Sequence, residues 1–110
     1  QTNVPADLSG VTQISAGDQH TCARTSAGSV RCWGRNQLGQ VAVPTGLSGV
    51  MQVSAGGGTN CVLTTTGVQC WGANNSGQAN VPADLTEATA VSVGGGHVCA
   101  VVRAGAVRCW

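Results

Sequence analysis

The residues of this chain best suited to chemistry are its six cysteines, which fall in three pairs, each closed by a tryptophan: Cys22…Cys32-Trp33, Cys61…Cys70-Trp71 and Cys99…Cys109-Trp110. Cysteine thiolates bind metals, act as nucleophiles or oxidise to disulfides. Structural zinc sites favour pairs two to four residues apart or nearby histidines. Here eight or nine residues separate each pair, and His20 and His97 accompany two of the three. An even set at regular spacing reads instead as a disulfide framework, which persists in oxidising compartments. Free buried thiols and a metal site are the weaker readings, and no metal or cofactor is expected. The remaining chemistry is sparse. Asp7, Asp18, Asp84 and Glu87 are the only carboxylates, and no nucleophile is paired with a base. Gly56-Gly57-Gly58 and Gly94-Gly95-Gly96 follow strand-like runs but open no helix, so they are not phosphate loops. Asn74-Asn75-Ser76 is a glycosylation sequon.

Equivalent cysteines recur every 38 or 39 residues, and the repeat extends well beyond them. Pro5, Pro44 and Pro82 are equivalent, as are Gly17, Gly56 and Gly94. A period of this size marks one supersecondary unit copied in tandem, as in solenoids and propellers. The units are residues 4–42, 43–80 and 81–110, preceded by a tail at 1–3 that matches 78–80. The third unit stops after its third strand.

Only 8% of residues are charged, lysine is absent and the net charge is +1. No basic stripe is available to neutralise phosphates, which argues against nucleic acid as a partner. No apolar run reaches the roughly 18 residues of a membrane span, so no membrane insertion is expected. Seventeen glycines and abundant Val, Thr, Ser and Ala, with no helical periodicity, indicate an all-β chain of short strands and tight turns.

Those strands explain the cysteine spacing. Strands at 11–16, 20–25 and 30–33 surround the turn Ser26-Ala27-Gly28. Three-residue hairpin loops place a left-handed residue where Gly28 stands. That loop sets Cys22 opposite Cys32, within disulfide reach. The loop Arg103-Ala104-Gly105 does the same for Cys99 and Cys109. The second unit is one residue shorter, and a like loop at Thr65-Thr66-Gly67 sets Cys70 opposite Val62. Its bond therefore requires a bulge between Thr59 and Leu63 or a different turn. Trp33, Trp71 and Trp110 point to the face opposite the cysteines, either as wedges between sheets or as stacking platforms for sugar rings or a partner protein.

The segments Gly17-Asp18-Gln19-His20-Thr21-Cys22-Ala23 and Val30-Arg31-Cys32-Trp33-Gly34-Arg35-Asn36-Gln37-Leu38-Gly39-Gln40 resemble the regulator-of-chromosome-condensation repeat. The Val-Pro-Ala-Asp-Leu-Ser-Gly-Val lead-in is most similar to secreted bacterial members, among them a β-lactamase inhibitor. The resemblance implies β-propeller blades of four antiparallel strands. It also implies an in-blade histidine bonded to backbone, and loop roles for Asn36, Gln40, Asn75 and Gln78. Asp7 and Asp84 are expected to cap turns. Three blades are too few to close a ring, so the strand Gln1 to Val4 is expected to complete a blade of another copy at its Trp110 edge; the alternatives are an open-ended assembly or a piece of a longer chain. The positions that carry aromatic contacts in the inhibitor hold Asp18-Gln19, Gly57-Gly58 and Gly95-Gly96, which argues against inhibition. Disulfides argue against nuclear exchange-factor activity. The expected function is that of a secreted or cell-surface, non-enzymatic binding module for a protein or glycan. Its candidate binding face comprises Asp18, Gln19, Arg35, Asn36, Gln37, Trp33, Trp71 and Trp110. The alternative is a structural subunit of an extracellular array or filament.

Overall fold

A computed structural model describes residues 3–110. Its described residues form three antiparallel sheets in chain order, each of three strands. Blade 1 holds β1 (Val11–Ala16), β2 (His20–Thr25) and β3 (Val30–Gly34). Blade 2 holds β4 (Val50–Gly56), β5 (Thr59–Thr64) and β6 (Gly67–Gly72). Blade 3 holds β7 (Ala88–Val93), β8 (Val98–Val102) and β9 (Val107–Cys109), with a 3-10 turn at Arg103–Gly105 before β9.

The sheets carry three strands rather than the four expected of each blade. Residues after the third strands of blades 1 and 2 are committed to a tight loop instead of a ladder. Asn36 Oδ1 accepts the Val41 N–H at 3.0 Å and Gln40 Oε1 accepts the Leu38 N–H at 2.8 Å. Asn74 Oδ1 and Gln78 Oε1 do the same for Ala79 and Ser76, both at 2.8 Å. The loop-closing asparagine of blade 2 is therefore Asn74, not Asn75. Of the expected Gln1 to Val4 strand, Gln1 and Thr2 lie outside the described residues, while Asn3 and Val4 join no ladder.

Hairpin register follows the turns. Cys22 pairs with Cys32 and Cys99 with Cys109, as the three-residue loops require. Gly28 takes a positive φ of 79° there. In blade 2 the turn shortens: Thr64 pairs with Gly67, leaving two loop residues, and Cys61 stays opposite Cys70. Thr64 Oγ1 braces this turn, accepting the Thr66 N–H at 3.2 Å and lying 3.0 Å from the Gly67 carbonyl oxygen. The strand β5 needs no bulge. The irregularities fall in the first strands, between Val11 and Gln13, Val50 and Gln52, and Ala88 and Ala90. An extra residue at a bulge turns the next side chains to the other face. Val50 and Val53, three apart, thereby reach the same core.

All three disulfides are formed, with Cα–Cα distances of 4.1, 4.1 and 4.0 Å. The core is divided between the two junctions of consecutive blades. Cys22 and Val30 of blade 1 pack on Val50, Val53, Val62 and Trp71 of blade 2. Cys61 and Leu63 of blade 2 pack on Val91 and Val98 of blade 3, with Trp110 alongside. The disulfides of blades 1 and 2 thus press on the first strand and tryptophan of the following blade.

Candidate interaction surfaces

The turns between first and second strands gather at one rim with the loops that follow the third strands. Between blades 1 and 2 they enclose a cleft of about 170 Å³ lined by Asp18, Gln19, Arg35, Leu38, Gln40, Gly57 and Gly58. The Arg35 N–H donates to the Gln19 carbonyl at 2.8 Å, and the Asp18 N–H to the Gly57 carbonyl at 3.1 Å. Gly58 is small for a reason: a Cβ there would lie 2.9 Å from Leu38 Cδ1 and 3.3 Å from Ala73 Cβ. The Arg35 guanidinium donates to Gln19 Oε1 at 2.5 Å and to Gln37 Oε1.

Those acceptors are neutral. The ion pairs among the described residues are Arg31–Asp7, Arg103–Glu87 and Arg108–Asp84, at 3.4, 3.0 and 3.2 Å. Arg35 is in none of them. The cleft therefore offers a planar cation with unneutralised charge, the exposed Asp18 carboxylate and the exposed side chain of Leu38. Such a fork matches a carboxylate or a sugar hydroxyl pair. Asp18, Gln19, Arg35 and Gln37 of the expected face come together here, while Asn36 closes its loop.

The tryptophans lie elsewhere. Trp33 and Trp71 are 9% and 8% exposed, and Trp110 is half-buried. Trp71 Nε1 donates to the Gln40 carbonyl at 3.2 Å and Trp110 Nε1 to the Gln78 carbonyl at 2.9 Å. The rings of Trp71 and Trp110 are wedges between consecutive blades. Asp7 and Asp84, expected as turn caps, sit in turns and reach across their own blades to Arg31 and Arg108. The arginine hydrogen bond, followed by other hydrogen bonds and charge, holds each carboxyl below its ordinary value.

His20 is buried, and its partner is a side chain of the next blade rather than backbone. Its Nε2 lies 2.7 Å from Asn60 Oδ1, while Asn60 Nδ2 donates to the Gln40 carbonyl at 2.6 Å. That second bond fixes the amide, so Oδ1 accepts and His20 carries its proton on Nε2. Its Nδ1 is buried without a partner among the described residues. His97, at the equivalent position of blade 3, is exposed, and Thr59 of blade 2 bonds the Ala73 carbonyl at 2.9 Å. Sequence reasoning missed Asn60, because only the neighbouring blade gives it a role. Asn74 is exposed, with Nδ2 donating to Asn80 Oδ1 at 3.0 Å. Among the described residues no cluster of His, Cys, Asp or Glu is placed to hold a metal ion. No helix there is long and apolar enough to cross a membrane.

The family model described as Regulator of chromosome condensation (RCC1) repeat matches residues 11–40 and 50–78, more than half of the chain. The chain belongs to that repeat family. Each matched RCC1 segment runs from the first residue of a first strand to the glutamine that closes the outer loop. Among solved structures, human WBSCR16 superposes with a TM-score of 0.85 at 21% identity, over 96% of this chain and 34% of that one. Prp20p from Saccharomyces cerevisiae gives 0.78 at 20% identity, over 94% and 34%. The ectodomain of the Physcomitrella patens receptor kinase CR4 gives 0.75 at 26% identity, over 91% and 30%. These are β-propeller proteins, and the RCC1 repeats here span about a third of each. No curated protein matches the chain significantly.

Proposed function

We propose that this chain is an extracellular, non-enzymatic binding module, in which the rim cleft of blades 1 and 2 takes a protein or glycan ligand. Its terminal strands, Gln1 to Val4 and the Trp110 edge, provide assembly with another copy. The observation that carries the reading is the Arg35 fork, held open by two neutral glutamine carbonyls beside exposed Leu38. Three disulfides support an oxidising compartment, as does the likeness to a receptor-kinase ectodomain. In a glycosylating host, the exposed Asn74 sequon is the proposed modification site.

The test is a glycan array and a displayed peptide library screened with the oxidised chain and with Arg35→Ala. Saturable binding that Arg35→Ala weakens by about tenfold or more supports the cleft, since a hydrogen bond to a charged group contributes roughly 1.5–3 kcal/mol. Binding that ignores the substitution, or none on either panel, overturns it. A structural role as a repeating subunit is the second reading, favoured by exposed apolar residues at both ends of the blade series, Ile14 in blade 1 and Val107 in blade 3. Long polymers in sedimentation, without a ligand, would select it.

A further inference from the structure

At the rim opposite the Arg35 cleft, the two blade junctions are built differently. Between blades 1 and 2 the chain fills the seam itself. The Gly28 carbonyl, in the three-residue turn, accepts the Val50 N–H at 3.1 Å. The Arg24 side chain lies across the seam, its Nε donating to the Val50 carbonyl and its Nη1 to Thr12 Oγ1, both at 2.6 Å. Both backbone groups of Val50 are thus satisfied from blade 1.

Between blades 2 and 3 each of these parts is changed. The turn is one residue shorter, and its Gly67 carbonyl takes the Thr64 hydroxyl at 3.0 Å instead. Leu63 stands opposite Gln52 as Arg24 stands opposite Gln13, and it is buried in the core. A groove of about 350 Å³ is left, lined among others by Met51, Thr66, Val68, Leu85, Glu87 and Ala88. Ala88 occupies the place of Val50. The Glu87 carbonyl accepts the Arg103 N–H at 3.0 Å, so the next residue turns its N–H and C=O away from β8, toward blade 2.

Glu87 itself is the second observation. Gly10 and Gly49 hold the equivalent positions at φ 69° and 66°, and Glu87 is held there at φ 55°. That region disfavours any residue with a Cβ, and such strain collects at functional sites. Glu87 Oε1 accepts from Arg103 Nη1 at 3.0 Å, while Oε2 has no donor among the described residues. Both partners of that pair are exposed, so it is loosely held.

We propose that this groove binds an arginine side chain of a partner peptide or protein. Its guanidinium donates to the Ala88 carbonyl and to the Glu87 carboxylate, as Arg24 donates to the Val50 carbonyl at the other junction. Its methylenes lie along Met51, Val68 and Leu85, in the way long cationic side chains cover apolar surface. The occupant is arginine for two reasons. The molecule fills the same place with arginine between blades 1 and 2, and the carboxylate present only here complements a guanidinium. The site is separate from the Arg35 cleft and does not rest on it.

The test is a titration of the oxidised chain with acetyl-Ala-Arg-Ala-amide to millimolar concentration, followed by amide chemical shifts. The same peptide with citrulline, a neutral isostere, is the control. Saturable shifts at Thr66, Glu87 and Ala88 are expected. Citrulline, and separately Glu87→Gln, should each weaken binding about fivefold, the upper end for a solvent-exposed ion pair. Glu87→Gly should weaken it equally while leaving the thermal midpoint unchanged or higher, because glycine relieves the strain. No saturable shift overturns the proposal, as does equal binding of the citrulline peptide or indifference to Glu87→Gln. Shifts confined to Asp18 and Gln19 overturn it too, since they place the cation in the other cleft. A lowered midpoint for Glu87→Gly would show that Glu87 is kept for the fold, and also overturns it. Arg35→Ala should leave this binding unchanged, so the two sites are judged separately.

Discussion

Half-cystines here serve as core atoms as well as cross-links. The Cys61–Cys70 and Cys99–Cys109 loops are nearly equal in length, with sequence separations of 9 and 10. Chain entropy assigns each a similar stabilisation of about 2.7 kcal/mol. Their surroundings differ: Cys61 is fully buried and Cys109 exposed. Replacing Cys61 and Cys70 together by serine also buries a hydroxyl, which costs roughly 1–3 kcal/mol if left unbonded. The Cys61/Cys70 variant should therefore lose more stability in urea than the Cys99/Cys109 variant; equal losses would mean that loop closure alone matters. The exposed Asp84 makes a smaller, pH-dependent contribution. Its folded carboxyl is held below the ordinary value of 3.8 by Arg108. The pair therefore stabilises above the unfolded value, and that contribution is lost as pH falls through the folded one. Asp84→Asn should leave the urea midpoint at neutral pH almost unchanged, because the pair is solvent-screened. It should flatten the acid limb of the stability curve, measured below pH 3.8.

At the scale of elements, the first strands do most of the joining. Their bulges put Val50 and Val53 on one face, and the residues between carry the grip on the next blade. The glycines that follow allow backbones to approach closely. A Cβ on Gly56 would lie 2.4 Å from the Val93 carbonyl oxygen and 2.7 Å from that of Gly94. Gly56→Ala must push blades 2 and 3 apart and should cost more than about 2 kcal/mol, a core-strain value. Gly96→Ala meets nothing within 4 Å and should stay within about 0.5 kcal/mol. Comparing their thermal and urea midpoints checks both. Gln13→Ala removes both bonds to Val53, so the Val53 amide should exchange faster with deuterium than in the parent chain. Unchanged exchange would mean that apolar packing alone holds the junction.

On the scale of the whole molecule, three blades in series pack chiefly on their neighbours, and stability is close to a sum of blade and junction terms. A further junction between copies adds to that sum in proportion to occupancy. If copies assemble as proposed, the midpoint of thermal unfolding should rise with protein concentration. A midpoint independent of concentration in the parent chain would count against association of the folded state.

Strands, turns and the disulfide pairs of blades 1 and 3 were legible in the sequence because hairpin register is local: a glycine-bearing loop of known length fixes which residues face each other. Family membership was equally legible, since spaced motifs agree in successive units. The second disulfide was readable only as a choice between a bulge and a new turn, and a shorter turn braced by Thr64 resolved it. Tertiary structure alone decided what joins the blades. His20 meets Asn60, Gln13 meets Val53 and Trp71 meets the Gln40 carbonyl across 31 to 40 residues of chain. Repeat period aligns equivalent residues, but contacts between blades join non-equivalent ones. Which of them meet depends on how one sheet is set against the next, and no local turn encodes that.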